Sequence, residues 1–230
     1  MPINGMTRAA HALHYLERRQ EIAANNLANV DTVGFRGERV FARMLAGELP
    51  VAETRTDFQP GALRQTGSPL DLALGGEGFF VVETPEGERL TRGGTFQLDA
   101  ERRLVDARGN PLLGEEGPIT LPIGAVAIDD SGTVSVEGRE VARLRLDRVP
   151  PGTALQHAGG SQFLPHEDQA PLEPAARVVR QGFVEDSNVS SIGSMVDMIS
   201  IQRAYAAVQR TVTTLDAARQ TVVTELGRPV

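Results

Sequence analysis

The chain has no cysteine, no tryptophan and no lysine: all 23 of its basic residues are arginine. Without cysteine there are no disulfides, thiolate metal sites or thiol nucleophiles. Without lysine there is no phosphate-cradling P-loop lysine and no Schiff-base chemistry, although genome composition is the blander cause of that bias. The formal net charge of −7 lacks the basic balance of a nucleic-acid binder. No run approaches the roughly 18 apolar residues of a membrane span, so direct membrane insertion is not expected. A cleavable secretory signal needs about 7–15 unbroken apolar residues after a basic start. The first 25 residues instead interleave Arg8, His11, His14, Glu17, Arg18, Arg19 and Gln20. The chain therefore reads as soluble, and any export must use a route that cleaves no N-terminal signal.

What is present is concentrated at the two ends. Met6, Leu13, Gln20 and Leu27 repeat every seven residues, and Ala9, Leu16, Ala23 and Val30 do so in the alternate register. That 3–4 spacing is the seam of a helix that packs along another helix. Ala9 and Ala23 permit close approach, and Gln20, the polar member, lies at the edge or fixes register. The helix signal stops near Asn29, where Asp31, Thr32 and Gly34 favour a turn. At the other end Ile201, Val208, Leu215 and Val222 repeat every seven. Met198, Tyr205, Val212, Arg219 and Leu226 form the partner register, broken at Arg219. A helix over Ile192 to Leu226 spans about 52 Å at about 1.5 Å per residue. A β domain of this size cannot bury such a stripe, so the helix needs the N-terminal helix, other copies of the chain, or both. Ser187 and Asn188, or Ser190 and Ser191, are candidate N-caps.

Between the ends the pattern changes to short apolar runs and frequent turns. Arg36 to Met44 reads as a short extended or helical piece, and 46–66, with Gly47, Pro50, Pro60 and Gly61, as a loop-rich connection. From Asp71 to Leu146 the reading is β. One hairpin turns at Pro85-Glu86-Gly87, a second at Asp99 to Arg102 and a third at Asp129 to Gly132. Arg143 to Asp147 alternates as a half-buried strand. Residues 149–173, with four Pro and the adjacent Gly159 and Gly160, read as loop. The fold class is α+β: N- and C-terminal coiled-coil-forming helices around a central, irregular all-β domain. The expected division is an N-terminal assembly helix and turn (1–35), an extended connection (36–70), the β domain (71–182) and a C-terminal assembly helix (183–230).

A search for chemistry comes back empty. His11 and His14 share one helix face, but no further metal ligands stand nearby. Gly75-Gly76-Glu77-Gly78 precedes a strand, not a helix N-terminus, so the anion-binding mechanism of a phosphate loop is missing. Asp129-Asp130 is explained by a hairpin turn, and no Ser has a His or acid at a motif-like spacing. No catalytic residue, cofactor or metal is implied. The Asn25, Asn26 and Asn29 cluster admits two readings: a fraying C-terminal helix end, or side-chain amides that bond to neighbouring chains.

The stretch IAANNLANVDTVGF, Ile22 to Phe35, closely resembles the N-terminal signature of the bacterial flagellar rod and hook protein family. Ser187-Asn188-Val189 followed by MVDMISIQRAY, Met195 to Tyr205, is similar to the family's C-terminal pattern. TGSPLDLALGGEGFF, Thr66 to Phe80, and LTRGGTF, Leu90 to Phe96, resemble the central domain of its rod members. GEEGPITLP, Gly114 to Pro122, and VARLRL, Val141 to Leu146, look most like the proximal rod members, with distal rod members the alternative. The chain departs from the common pattern at Ser190, Ser191, Gly193 and Ala206, and contacts made through those positions elsewhere do not carry over. The resemblance implies a non-enzymatic subunit of the periplasmic axial rod, which transmits torque from motor to hook in flagellum-dependent motility. Its implied partners are other copies of itself, rod proteins above and below, and the flagellar export apparatus. Passage through a narrow export channel suits a chain without disulfides. The residues expected at assembly contacts are Met6, Leu13, Leu16, Ala23, Asn25, Asn26, Leu27, Asn29, Gly34 and Phe35 at one end. At the other they are Asn188, Met195, Met198, Ile201, Tyr205, Val208, Val212, Leu215 and Val222. An exported enzyme with helical oligomerisation arms would instead need a convergent pocket of paired acids or a Ser/His pair. An adaptor or chaperone would normally lack the long strand-rich centre.

Overall fold

The computed structural model describes residues 5–43, 51–150 and 153–226; of residues 42, 43, 51, 52, 222, 223, 225 and 226 only the backbone is described. Met44, Gly47 and Pro50 of the expected connection lie outside the described residues. The chain forms two compact units. One holds both long helices and Glu38–Asp57; the other comprises Asn29–Gly37 and Phe58–Val189.

In the helical unit, α1 (Gly5–Ala28) and α2 (Ser191–Leu226) accompany a hairpin of β1 (Glu38–Arg43) and β2 (Val51–Thr56). Part of the stretch read as extended-or-helical or as loop is thus strand. Its Val40-Phe41-Ala42 run between charged residues is too brief to distinguish the two from sequence. The helices run antiparallel: Tyr205 donates a hydrogen bond to Glu17 at 3.3 Å, while Leu215, ten residues further along α2, lies beside Gly5, twelve residues earlier in α1. Leu16, Ala23 and Ile201 are buried between them, with Met198, Ala204, Tyr205 and Val208 packed around. Ser190 caps α2: its Oγ accepts the Gly193 N–H at 3.2 Å, and its carbonyl accepts the first helical bond from Ser194. Among the four cap candidates, then, the geometry selects Ser190.

The second unit is built from very short strands, all of whose described pairings are antiparallel. In chain order they are β3 (Leu63–Gln65), β4 (Leu72–Leu74), β5 (Phe79–Thr84), β6 (Gly87–Thr91), β7 (Gln97–Leu98), β8 (Leu104–Val105), β9 (Leu113–Gly114) and β10 (Gly117–Pro118). There follow β11 (Val126–Ile128), β12 (Thr133–Val136), β13 (Arg139–Arg143), β14 (Leu146–Arg148), β15 (His157–Gly159), β16 (Gln162–Phe163), β17 (Ala170–Pro171), β18 (Val179–Gln181) and β19 (Phe183–Glu185). The main sheet has the order β15-β16-β6-β5-β14-β17. Its centre explains the unbroken FFVV run. Phe80 and Val82 enter the larger core with Leu72, Leu104 and Leu146, whereas Phe79 and Val81 enter a second core with Leu90 and Phe163. A strand covered on both faces loses its apolar–polar alternation.

All three expected hairpins are present. At the third, Asp129 Oδ1 accepts the Ser131 hydroxyl and the Ser131 and Thr133 N–H groups. These bonds, the Ser131 hydroxyl first, hold its carboxyl below the usual carboxylate range. The carboxylate thus completes the turn.

Two readings need correction. The expected strand over Arg143 to Asp147 is two: β13 ends at Arg143 in a three-stranded sheet with β11 and β12, and β14 begins at Leu146 in the main sheet. Leu144 and Leu146 are both fully buried, so alternation persisted while the partners changed. Residues 149–173, read as loop, contain β15, β16 and β17. Their two- and three-residue lengths leave no periodicity to detect, and Phe163 is buried by tertiary contact alone.

Gly94 is required by close approach. Its carbonyl accepts the Leu72 N–H at 2.8 Å, and a Cβ there would stand 1.7 Å from the Leu72 carbonyl oxygen. Gly94→Ala is expected to push β4 off the core and cost roughly 2–4 kcal/mol, read as a lower urea midpoint.

Candidate assembly site

On α1, Ala9, Leu16, Ile22 and Ala23 are buried, while Met6, Leu13 and Leu27 are half-buried and Gln20 is exposed. Ile22 was not among the seam positions. It stands four residues before Asn26, on one helix face, and Asn26 bonds to β1 in both directions: its Nδ2 donates to the Glu38 carbonyl at 2.8 Å, and its Oδ1 accepts the Glu38 N–H at 2.9 Å. That face is turned to the hairpin. Asn25 is exposed. Asn29, in the other unit, accepts the Thr32 hydroxyl at 3.2 Å on its side chain and the Thr32 N–H on its carbonyl, shaping the turn.

On α2, Met198, Ile201, Tyr205, Val208 and the half-buried Val212 follow the expected stripe toward α1, with Leu215 at its edge. The Val222 side chain lies outside the described residues. A second stripe escaped the seven-residue count. Ile192, Met195, Val196 and Ile199 are exposed by 75, 51, 59 and 50%. At about 100° per residue, their mean direction is roughly half a turn from that of Met198, Ile201, Tyr205 and Val208. Only Met195 was expected at an assembly contact. The signal lay in the i, i+3, i+4, i+7 spacing of these four residues, which the longer heptad ladder masked.

In the β-rich unit the two signature segments meet. Gly34 donates its N–H to the Glu185 carbonyl at 2.7 Å, and Asn188 donates its own to the Phe35 carbonyl at 3.3 Å. The Asn188 side chain accepts the Gly37 N–H at 2.8 Å and donates to the Gln59 carbonyl at 2.9 Å. Gly34 has φ +70°, and a Cβ on it would come within 2.2–2.4 Å of the Arg92–Gly93 peptide, so only glycine fits. Phe35 is buried, its ring 5.6 Å from that of His157.

Beside this junction lies a buried ionic trio absent from the sequence reading. Glu185, fully buried, accepts Arg36 Nη2 at 2.6 Å and the Gly61 N–H at 2.8 Å on Oε1, and Arg92 Nη1 at 3.3 Å on Oε2. Arg92 also donates to the Gly76 carbonyl at 2.7 Å and lies over the Phe79 ring, 5.5 Å from its centroid. Burial pushes its pKa down to about 10 against the opposing pull of Glu185. Of the three, only Arg92 lay inside a signature stretch, LTRGGTF; Arg36 directly follows the N-terminal stretch and Glu185 stands two residues before the C-terminal one.

Among the described residues, neither histidine of α1 has the ligand company a metal needs. His14 sits 3.4 Å from Glu17, and among the described residues no group of three or more His, Asp or Glu is placed to hold a metal. Also among the described residues, no helix is long and apolar enough to cross a membrane.

Three family profiles match in order along the chain: flagella basal body rod protein over 6–36, flagellar hook protein FlgE/F/G D1 domain over 73–136, and flagellar basal body rod FlgEFG protein C-terminal over 180–225. The flagellar basal-body rod protein FlgF of Rhizobium meliloti (strain 1021) is 36% identical over 83% of this chain and 84% of its own length. The chain belongs to the flagellar basal-body rod protein family. Within that family it is also similar to FlgF of Escherichia coli (strain K12), 33% identical over 86% of this chain and 88% of that one. Flagellar basal-body rod protein FlgG of Buchnera aphidicola subsp. Acyrthosiphon pisum (strain APS) is 32% identical over 86% of this chain and 90% of its own. The rod-protein profiles at the two ends cover α1 with its following turn, and β19 with nearly all of α2. The residues that join the ends in the β-rich unit, Phe35 and Asn188, fall inside the same two profiles.

Proposed function

We propose that this chain is a non-enzymatic structural subunit of the bacterial flagellar basal-body rod, of the proximal, FlgF-like type, transmitting torque from motor to hook. The observation that carries the reading is the FlgF similarity along most of the chain, with a FlgF relative reaching 36% identity and the cited FlgG relative 32%. Distal, FlgG-like placement is the second reading. In the assembled rod, coiled-coil seams of α1 and α2 with neighbouring subunits carry the load, because knobs-into-holes packing is dense and stiff. The outward stripe Ile192, Met195, Val196 and Ile199 supplies such a seam, together with the half-buried Met6, Leu13 and Leu27. Its partners are further copies and adjoining rod proteins. The subunit reaches the periplasmic rod through the flagellar export apparatus without a cleaved signal.

Deleting the coding region and imaging isolated basal bodies tests this. Non-motile cells whose basal bodies stop at the base of the rod support the proximal reading. Truncation higher up supports the distal one, and normal flagella overturn both.

The monomer's helix pair is held by few buried side chains: Leu16, Ala23 and Ile201 form its core among the described residues. The helical ends are therefore expected to order fully only on assembly. Hydrogen exchange on the free subunit should be fast over Ala9 to Leu27 and Met198 to Leu215 and slow over β5 and β6. Strong protection across both helices would refute the coupling of order to assembly.

A further inference from the structure

Ile123 is the most exposed of the large apolar side chains among the described residues, at 86%. Single exposed apolar residues are common, but the loop that carries this one is held from both sides. Arg102 donates through Nε to the Leu121 carbonyl and through Nη2 to the Pro122 carbonyl, each at 2.7 Å. Glu137 Oε1 accepts the Ala125 N–H at 2.7 Å. Arg102 and Glu137, at φ 59° and 51°, are also the two non-glycine residues with positive φ among the described residues. Hairpin turns account for that backbone. They do not require both side chains to fold onto one loop and hold a bare isoleucine outward.

The same β-rich unit holds a cavity of about 240 Å³ lined by Phe58, Phe79, Val149 and Leu155. Phe58 and Glu77 on its lining are exposed, so it opens to solvent. Arg36 and Arg92 on the inner wall are balanced by Glu185 in contact and by Glu77 at longer range, so the cavity calls for no ion. What it offers is apolar wall. A cavity of roughly 150 Å³ admits a benzene ring, so this one has room for a branched aliphatic side chain.

We propose that Ile123 of one copy of the chain seats in this cavity on a second copy. Charge fits the same pairing. Arg102, beside the knob, spends its side-chain bonds on carbonyls, and Glu77, beside the hollow, has no contacting cation among the described residues. The docked loop brings the Arg102 charge to Glu77, while Glu137, on the other side of the loop, is already engaged by Ala125. Knob and hollow are different surfaces, so the contact is heterologous. Each copy gives Ile123 to one neighbour and receives it from another, and repetition builds a ring or an open helical filament, not a closed two-fold dimer. The contact is separate from the helix stripes assigned to assembly and is measured on the purified chain, independently of the rod reading.

The parent chain has no cysteine, so only introduced thiols can be cross-linked. Full-length Ile123→Cys and Thr153→Cys, the latter on the cavity lining, are mixed at millimolar concentration with a short bismaleimide, since one side-chain anchor gives weak affinity. A linked dimer holding one chain of each kind is expected to form at least roughly ten-fold faster than dimers of either variant alone. Adding Val149→Trp to the Thr153→Cys chain fills the hollow and should bring the rate to background. Adding Glu77→Arg instead, at an exposed position that leaves the fold intact, should slow it roughly three- to ten-fold by setting like charge against Arg102. A mixture no faster than the single variants overturns the proposal. Ile123→Cys alone reacting as fast as the mixture overturns it in favour of symmetric pairing of the loops. A rate unchanged by both Val149→Trp and Glu77→Arg overturns it in favour of a contact elsewhere. Should deletion of the coding region leave normal flagella, the rod reading fails and a positive cross-link still stands.

Discussion

Glu185→Gln is expected to cost the β-rich unit roughly 3–5 kcal/mol, because it leaves Arg36 and Arg92 buried without their shared counter-ion. The side chain keeps its shape, so the loss is electrostatic and not a cavity effect. For a domain of this size each kcal/mol moves the midpoint by roughly 2–4 °C, and the melting temperature should fall by about 10 °C. Asp186→Asn, one residue along, is the contrast. Asp186 pairs with Arg64 at 3.0 Å across an exposed surface, where such pairs are worth less than about 1 kcal/mol. Adding Arg36→Met to Glu185→Gln should recover part of the loss, since it removes one of the stranded charges. Equal melting of Glu185→Gln and the parent would show that water or a bound anion already neutralises the trio.

That trio shows where sequence reasoning ran out. Arg36, Gly61, Arg92 and Glu185 are spread over a sequence separation of 149, and nothing in their local spacing announces a meeting. By contrast, the two helices were legible because their periodicity extends over many turns: α2 begins at Ser191, next to the expected Ile192. The hairpins at Pro85, Asp99 and Asp129 were legible because turn chemistry is local. Strands β15 to β17 were not, since a two-residue strand has no period and Pro and Gly dominate its flanks. The Asn cluster illustrates the remaining ambiguity. Composition left Asn26 open between a frayed end and an outward contact, whereas its amide closes a two-way bond with Glu38, a bridge between helix and strand that no helix-based count would suggest. The outward stripe on α2 failed for the opposite reason: a longer pattern on the same helix claimed the apolar residues first.

Ile199→Asp is expected to abolish incorporation into the rod while leaving the free subunit intact. Ile199 is half exposed, on the side of α2 turned away from Leu16 and Ala23, so a carboxylate there stays hydrated in the monomer and should shift stability by no more than about 0.5 kcal/mol. In an assembled seam the same carboxylate is desolvated without a partner, at a cost of several kcal/mol, repeated at every copy. The expected result is an unchanged circular dichroism spectrum and melting temperature for the purified chain, with non-motile cells whose basal bodies lack the variant. Ser200→Asp adds the same charge one residue on, about 100° around the helix and off the stripe, and should leave motility intact. Swimming Ile199→Asp cells would remove this face from the assembly surface. Rod assembly would then have to rely on the α1-facing stripe, Met198, Ile201, Tyr205 and Val208, exchanging its intramolecular partner for a neighbouring subunit.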